Sequence, residues 1–231
     1  MLNIHRILLF GLLTLANISI CKAENEEFLI SFVDHSGLIN YYVPILNKAY
    51  QKIGISPTFI MINDQRALRL LNNAQIDADT AKVIDNLEHY PNITYLPTPI
   101  SKVEMILICQ AEISCTPAIF NQANKSLAVI GADEFYQEQL SNASIKLVEL
   151  TSFEILYKMF DQQKVDVAII VLDTYSKARL NRYPNHYKLF EKLGFHLLHK
   201  KHQALIPKLE SAIAQVIAET SGTMLLDNQK N

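Results

Sequence analysis

One pattern occurs twice in this chain, and it limits the folds available more than any other feature. Leu71-Asn72-Asn73-Ala74-Gln75-Ile76-Asp77-Ala78 leaves a helical periodicity, turns through polar residues and enters a strand at an aspartate. Phe160-Asp161-Gln162-Gln163-Lys164-Val165-Asp166-Val167 repeats that sequence of events in the second half. Each copy lies within an alternation of strands and helices. In the first, Phe28 to Val33 reads as a strand, and Val43, Leu46, Tyr50 and Ile53 fall at helical spacing with Gly54 as a left-handed cap. Pro57 to Ile62 reads as a strand, Ala67, Leu68, Leu70 and Leu71 as a short helix, and Ile76 to Ala78 as a brief strand, with further strands at Ile93 to Leu96 and Val103 to Gln110.

In the second, Ser126 to Ile130 is a strand followed by a polar helix from Glu134 to Leu140, and Lys146 to Leu150 is another strand. Thr151 or Ser152 caps a helix with the apolar face Phe153, Leu156, Met159 and Phe160. Val165 to Leu172 is almost continuously apolar, as expected of a strand covered on both faces. A last helix keeps Leu205, Ile206, Leu209, Ile213, Val216 and Ile217 on one stripe, takes Pro207 in its first turn and stops near Gly222. Strand–helix alternation predicts an α/β fold with mostly parallel sheets, and its recurrence predicts two lobes.

Hydrophobic residues make up 49% of the 231, and charged residues 19%, which suits a globular core and excludes a disordered chain. A formal net charge of −2 offers no basic field for nucleic acid. The first 23 residues are read apart from the fold. Arg6 precedes the apolar run Ile7 to Ile20, and Cys21-Lys22-Ala23 places small residues where a signal peptidase reads them. Cleavage after Ala23 and export are expected. A lipid anchor on Cys21 is the competing reading, opposed by the bulk of Ile20. Cys109 and Cys115 then remain, six positions apart, as a short-loop disulfide or as two separate buried thiols.

Several fragments together resemble the two-lobed type 2 periplasmic binding proteins of the amino-acid-binding kind. They are Leu46-Asn47-Lys48-Ala49-Tyr50 with Gly54, Gln65-Arg66-Ala67-Leu68, Pro91-Asn92-Ile93 leading to Pro97, Val165-Asp166-Val167, and His199-Lys200-Lys201-His202 with Leu205, Pro207 and Leu209. The resemblance implies α/β lobes joined by a two-strand hinge, one from residues 24–108 plus 200–231 and the other from 109–199. It also implies a small polar solute in the cleft, an inner-membrane permease of an ABC-type transporter or a sensor protein as partner, a periplasmic location, a monomer and no cofactor. Glycine commonly stands in that family where this chain has Ala74 and Gln163, so Asn73 is expected to take over the left-handed turn in the first copy. An arginine commonly follows the third strand; here the nearest base is Lys82. The family's second-lobe aspartate has its counterpart in Asp173, two residues late. These departures leave a zwitterion, a carboxylate and a neutral polar solute all open.

The binding candidates lie after the strands. Asp34, His35 and Ser36 follow the first, with Tyr41 or Tyr42 available to stack on a ligand. Arg66, Thr80 and Lys82 are on the same side, and the two bases suit a carboxylate or phosphate. Gly131 and Asp133 open a helix whose N–H groups can face an anion, although Asp133 serves equally as an N-cap. Thr151, Asp173 and Tyr175 follow later strands, Thr151 and Asp173 with the same capping alternative. Asp77 and Asp166 occupy matched positions and read as turn anchors rather than a catalytic pair. His196, His199 and His202 cannot all face one metal along a strand, where side chains alternate. No nucleophile elbow, phosphate loop or H-E-x-x-H run is present. The rival to a binding protein is a periplasmic enzyme on the same scaffold, resembling a cyclohexadienyl dehydratase, with His35 and Glu134 as acid and base.

Overall fold

The computed structural model describes residues 27–84, 87–130 and 140–227. Residues 1–23, Gly131, Asp133 and Glu134, with the expectations attached to them, lie outside this set. Nine described strands form one continuous sheet: β1 (Phe28–Phe32), β2 (Pro57–Met61), β3 (Ala78–Val83), β4 (Ile93–Tyr95), β5 (Ser101–Cys109), β6 (Ser126–Ile130), β7 (Lys146–Leu150), β8 (Val167–Asp173) and β9 (His186–His199). Their order is β2-β1-β3-β9-β5-β8-β6-β7, with β4 also on β9.

The sheet is mixed, which corrects the mostly parallel expectation. β2-β1-β3 and β8-β6-β7 are parallel, whereas every pairing that joins these triads through β5 and β9 is antiparallel. The long β9 is the strand the pattern missed. Its Gly194–His199 end pairs with β3 and β4, and its first part pairs with β5, which in turn pairs with β8, so β9 and β5 together bridge the two triads. Its N-terminal portion is largely exposed and shows no regular alternation, leaving no period-2 signal to read.

Four α-helices among the described residues flank the sheet: α1 (Val43–Lys52), α2 (Asp64–Asn72), α3 (Phe153–Asp161) and α4 (Ile206–Asp227). Gly54 closes α1 at φ 83°, as its position predicted. Ser152, rather than Thr151, caps α3 by accepting from the Glu154 N–H. Helix α4 runs through Gly222 instead of stopping there, since one glycine costs a helix only about 1 kcal/mol.

The two copies of the repeated pattern have the same geometry. The N–H groups of Ala74 and Gln75 donate to the carbonyls of Leu71 and Leu70, and those of Gln163 and Lys164 donate to Phe160 and Met159. This is the Schellman arrangement, which puts its penultimate residue in the left-handed region. Ala74 (φ 57°) and Gln163 (φ 55°) occupy that region themselves, and Asn73 stays at φ −93°, so the expected transfer to Asn73 does not occur. Three residues on, each aspartate ties its turn to the neighbouring strand. Asp77 Oδ2 accepts from the Leu29 N–H at 2.9 Å and Asp166 Oδ2 from the Ser126 N–H at 2.9 Å. Lys201 (2.7 Å) and Lys125 (3.1 Å) respectively provide the counter-charge.

The hydrophobic core gathers at the two ends of the sheet. Ile30, Leu46, Tyr50, Leu198, Leu209 and Val216 join β1, α1, the end of β9 and α4. At the other end β8 is covered on both faces: Val167 and Ile169 on one, Ala168, Ile170 and Leu172 under α3 on the other. Cys109 and Cys115 are joined in a disulfide beside the first of these faces.

Candidate functional site

In both parallel triads the strands lead into loops at their carboxyl ends, where open α/β sheets bind ligands. The loop after β1 turns through Gly37 into a π-helical turn at Leu38–Tyr42. The loop after β8 begins at Asp173 and enters a 3-10 turn at Lys177–Arg182. These segments meet. The Tyr41 and Tyr175 rings stack at 3.9 Å with their planes 9° apart, and Tyr42 meets Tyr175 edge-on at 5.6 Å. Burial and the nearby Asp173 carboxylate push the hydroxyl pKa values of Tyr42 and Tyr175 upward, so both remain phenols.

His35 crosses the same gap. Its Nδ1 accepts from the Gly37 N–H at 3.2 Å, which leaves the proton on Nε2 to donate to the Val171 carbonyl at 3.1 Å. The ring also packs edge-on against Phe153 at 5.1 Å. In this arrangement both ring nitrogens of His35, a suspect of the dehydratase-like reading, are committed to the protein.

Asp173 is only 1% exposed. Its Oδ1 accepts from the N–H groups of Tyr175 and Ser176 and from the Ser176 hydroxyl, at 2.7 to 3.0 Å. Its Oδ2 faces Gly37 so closely that a Cβ there would stand 1.8 Å away. The carboxylate therefore organises its own turn and seats the opposing loop.

Beside the stacked tyrosines lies a cavity of about 280 Å³. Ser36, Asn40 and Tyr41 line it from the β1 side, and Tyr175, Ser176 and Arg179 from the β8 side. The structure thus brings together Ser36, Tyr41 and Tyr175, with His35 and Asp173 in the contact beneath. Asn40 and Arg179 were not singled out from the sequence. Arg179 had a legible signal, since Asp173-Thr174-Tyr175-Ser176 after an apolar strand predicts a turn that carries the next residues to the strand's carboxyl end.

The other candidates sit elsewhere. Thr80 is fully buried and donates to the Ser31 carbonyl at 2.8 Å. Lys82 is buried 4.0 Å from Asp79, whose Oδ2 also accepts from the Ser31 hydroxyl at 2.6 Å. Arg66 is exposed in the first turn of α2, with its N–H donating to the capping Asn63, and Thr151 is exposed before α3. The three histidines have separate partners. His196 is buried between the Tyr50 hydroxyl (2.8 Å) and the Thr80 carbonyl (3.1 Å), and burial lowers its pKa to about 4, keeping it neutral. His199 caps the turn at Lys201, and His202 bonds to Asp77. Among the described residues, no three His, Cys, Asp or Glu side chains are grouped to hold a metal ion, and no helix is long and apolar enough to cross a membrane.

No family model and no curated protein matches the sequence. Solved structures do. The arginine-bound, truncated ArgBP from T. maritima superposes with a TM-score of 0.66 at 14% identity, over 82% of this chain and 96% of that one. The substrate-binding protein of an amino acid ABC transporter gives 0.66 at 14%, over 87% and 97%. The glutamate-bound GluR0 ligand-binding core from Nostoc punctiforme gives 0.65 at 15%, over 87% and 98%. The fold is that of the type 2 periplasmic binding proteins.

Proposed function

We propose that this is an exported binding protein that captures a small polar solute between two α/β lobes and does no chemistry on it. It would deliver the solute to a permease of an ABC-type transporter or report it to a membrane sensor. The observation that carries the reading is the cavity at the carboxyl ends of β1 and β8, walled from both sides of the sheet by polar side chains and two tyrosines. Its volume of about 280 Å³ is close to the lower end of ordinary ligand sites, which fits a small solute.

The lobes of this proposal are residues 24–108 with 200–231, and residues 109–199. The separate cores at the two ends of the sheet, and the passage between them on β5 and β9, support two lobes. Met105 to Cys109 pack with the second core and Leu197 and Leu198 with the first, so the crossing falls nearer Ser101 and Gly194 than those bounds. Ser101 and Gly194 pair where β9 changes neighbours, and a Cβ on Gly194 would stand 2.1 Å from the Ser101 hydroxyl oxygen. Two strands in such close contact make a narrow waist about which the lobes can rotate. In the structure the loops after β1 and β8 touch across the gap. Among the described residues the contacts across it include the ring stack, worth about 0.5–1.5 kcal/mol beyond its buried area, the edge-on Tyr42–Tyr175 and His35–Phe153 pairs, the His35–Val171 hydrogen bond and the Gly37–Asp173 approach. A solute contacting both walls can exchange these for its own contacts and shift the population between open and closed forms.

Native mass spectrometry of the freshly purified protein tests the capture itself, with one retained small molecule per chain expected. Small-angle scattering tests the hinge, with compaction expected when the identified solute is returned to stripped protein. A proven ligand that leaves the radius of gyration unchanged refutes the hinge, and turnover of the solute refutes a binding-only role.

A further inference from the structure

The 3-10 turn after β8 carries three bases, and they are not equivalent. Lys177 reaches Glu104 at 3.0 Å, and Arg182 reaches Asp161 at 3.1 Å. Arg179, between them in sequence, is the one that lines the cavity. Among the described residues no carboxylate pairs with it. Its guanidinium lies over the Tyr157 ring instead, 4.2 Å from the centroid. The Tyr157 hydroxyl also takes a hydrogen bond from the guanidinium; with five N–H donors, Arg179 keeps others in its plane to meet a carboxylate.

The remaining charges at the gap are already partnered. Asp173 is buried, with Oδ1 turned into its own loop and Oδ2 against Gly37, and so presents no carboxylate to the cavity. Lys82, the cation expected to meet a ligand carboxylate, stands by Asp79 in the buried cluster with Ser31. The Ser176 hydroxyl donates to Asp173. Arg179, Ser36, Asn40 and the Tyr41 and Tyr175 hydroxyls remain as donors, and Arg179 is the charged one among them, in a cavity whose described lining contains no acid.

We infer that the solute taken by this cleft carries a carboxylate, and that Arg179 is the residue that pairs with it. The inference rests on the binding function proposed above and adds the charge of the solute and the group that selects it. The selecting cation comes from the β8 side, where the tyrosine stack also has its second ring, so pairing with Arg179 would fix the solute on that wall before Ser36, Asn40 and Tyr41 close from the other.

The test is calorimetric titration of the full exported chain, stripped by unfolding and refolding with its disulfide intact. The probes are succinate, L-glutamate and L-arginine, each beside its fully amidated counterpart, together with any solute that native mass spectrometry finds retained. Arg179→Gln and Arg179→Lys are compared with Arg182→Gln, which removes a base of the same turn that does not line the cavity. A carboxylate probe or a retained carboxylate should bind wild type, its amide at least roughly tenfold more weakly, since a charge-assisted hydrogen bond is lost. Arg179→Gln should weaken binding by about 10- to 100-fold, Arg179→Lys should recover part of that, and Arg182→Gln should bind like wild type. Equal binding of acid and amide, undiminished binding by Arg179→Gln, or a retained solute without an acidic group overturns the inference and leaves the binding function standing. Failure of wild type to bind any probe, with no solute retained, overturns both.

Discussion

Replacing Ala74 and Gln163 with glycine should stabilise this protein, although both changes delete side-chain atoms. Each residue is held in the left-handed region, at φ 57° and 55°, where a Cβ crowds the following carbonyl at a cost of about 1 kcal/mol or more. Both side chains are exposed, so truncation sacrifices no packing. The two N–H groups that close each turn belong to the backbone and survive the substitution. Against the relief stands the larger conformational entropy that glycine loses on folding, about 0.5–1 kcal/mol. The net expectation is a gain of about 0.5–1 kcal/mol per site. The turns end different helices and share no hydrogen-bond partner, so the gains should add, to about 1–2 kcal/mol in the double variant. For a chain of this length that is a rise in melting temperature of about 2–8 °C, read by differential scanning fluorimetry and checked by urea midpoints with an unchanged slope. A double variant that melts at or below wild type would refute the argument, because it would mean that the left-handed geometry carries no strain here.

Gly37→Ala puts a Cβ where Asp173 Oδ2 now stands, at 1.8 Å, so the closed gap cannot form unchanged. Scattering should report a larger radius of gyration while the circular dichroism stays native; an unchanged radius would show that the loop yields instead. Asp77 gives a pH signature. Burial alone would raise its pKa, but hydrogen bonds from His202, Lys201 and the Leu29 N–H outweigh it and lower the value to about 2. A carboxylate whose folded pKa is depressed contributes stability above its unfolded value, near 3.9, and loses it as pH falls toward 2. With allowance for solvent around the Lys201 ammonium, roughly 1–2 kcal/mol should disappear between about pH 5 and pH 2. Asp77→Asn should unfold more easily than wild type at pH 7 and show a correspondingly smaller fall in its urea midpoint on acidification; identical slopes in the two proteins would count against it.

Much of the fold was written locally. Strands Ser126–Ile130 and Lys146–Leu150 match their expected bounds, and Gly54 caps its helix as predicted. Asp77 and Asp166 anchor equivalent turns, because helix period, cap and the following apolar run are all encoded within a few residues. The site was legible in part. His35, Ser36, Tyr41, Asp173 and Tyr175 all come to the gap between the triads, since residues just after apolar strands must collect at the strands' carboxyl ends. Arg66 and Thr151 also follow strands yet remain exposed, because position in the loop does not fix direction.

Sequence alone therefore determined the α/β character, the repeated helix-to-strand turn and the loops that form the gap, all of which depend on near neighbours in the chain. Tertiary structure decided what depends on distant ones. It bridged the two triads through β9 and β5, set Lys82 beside Asp79, turned Asp173 into its own loop and left Arg179 facing the cavity without a described acid. A charge's role is set by the groups within a few ångströms of it, and here those groups come from segments far apart in sequence that only the folded sheet brings together.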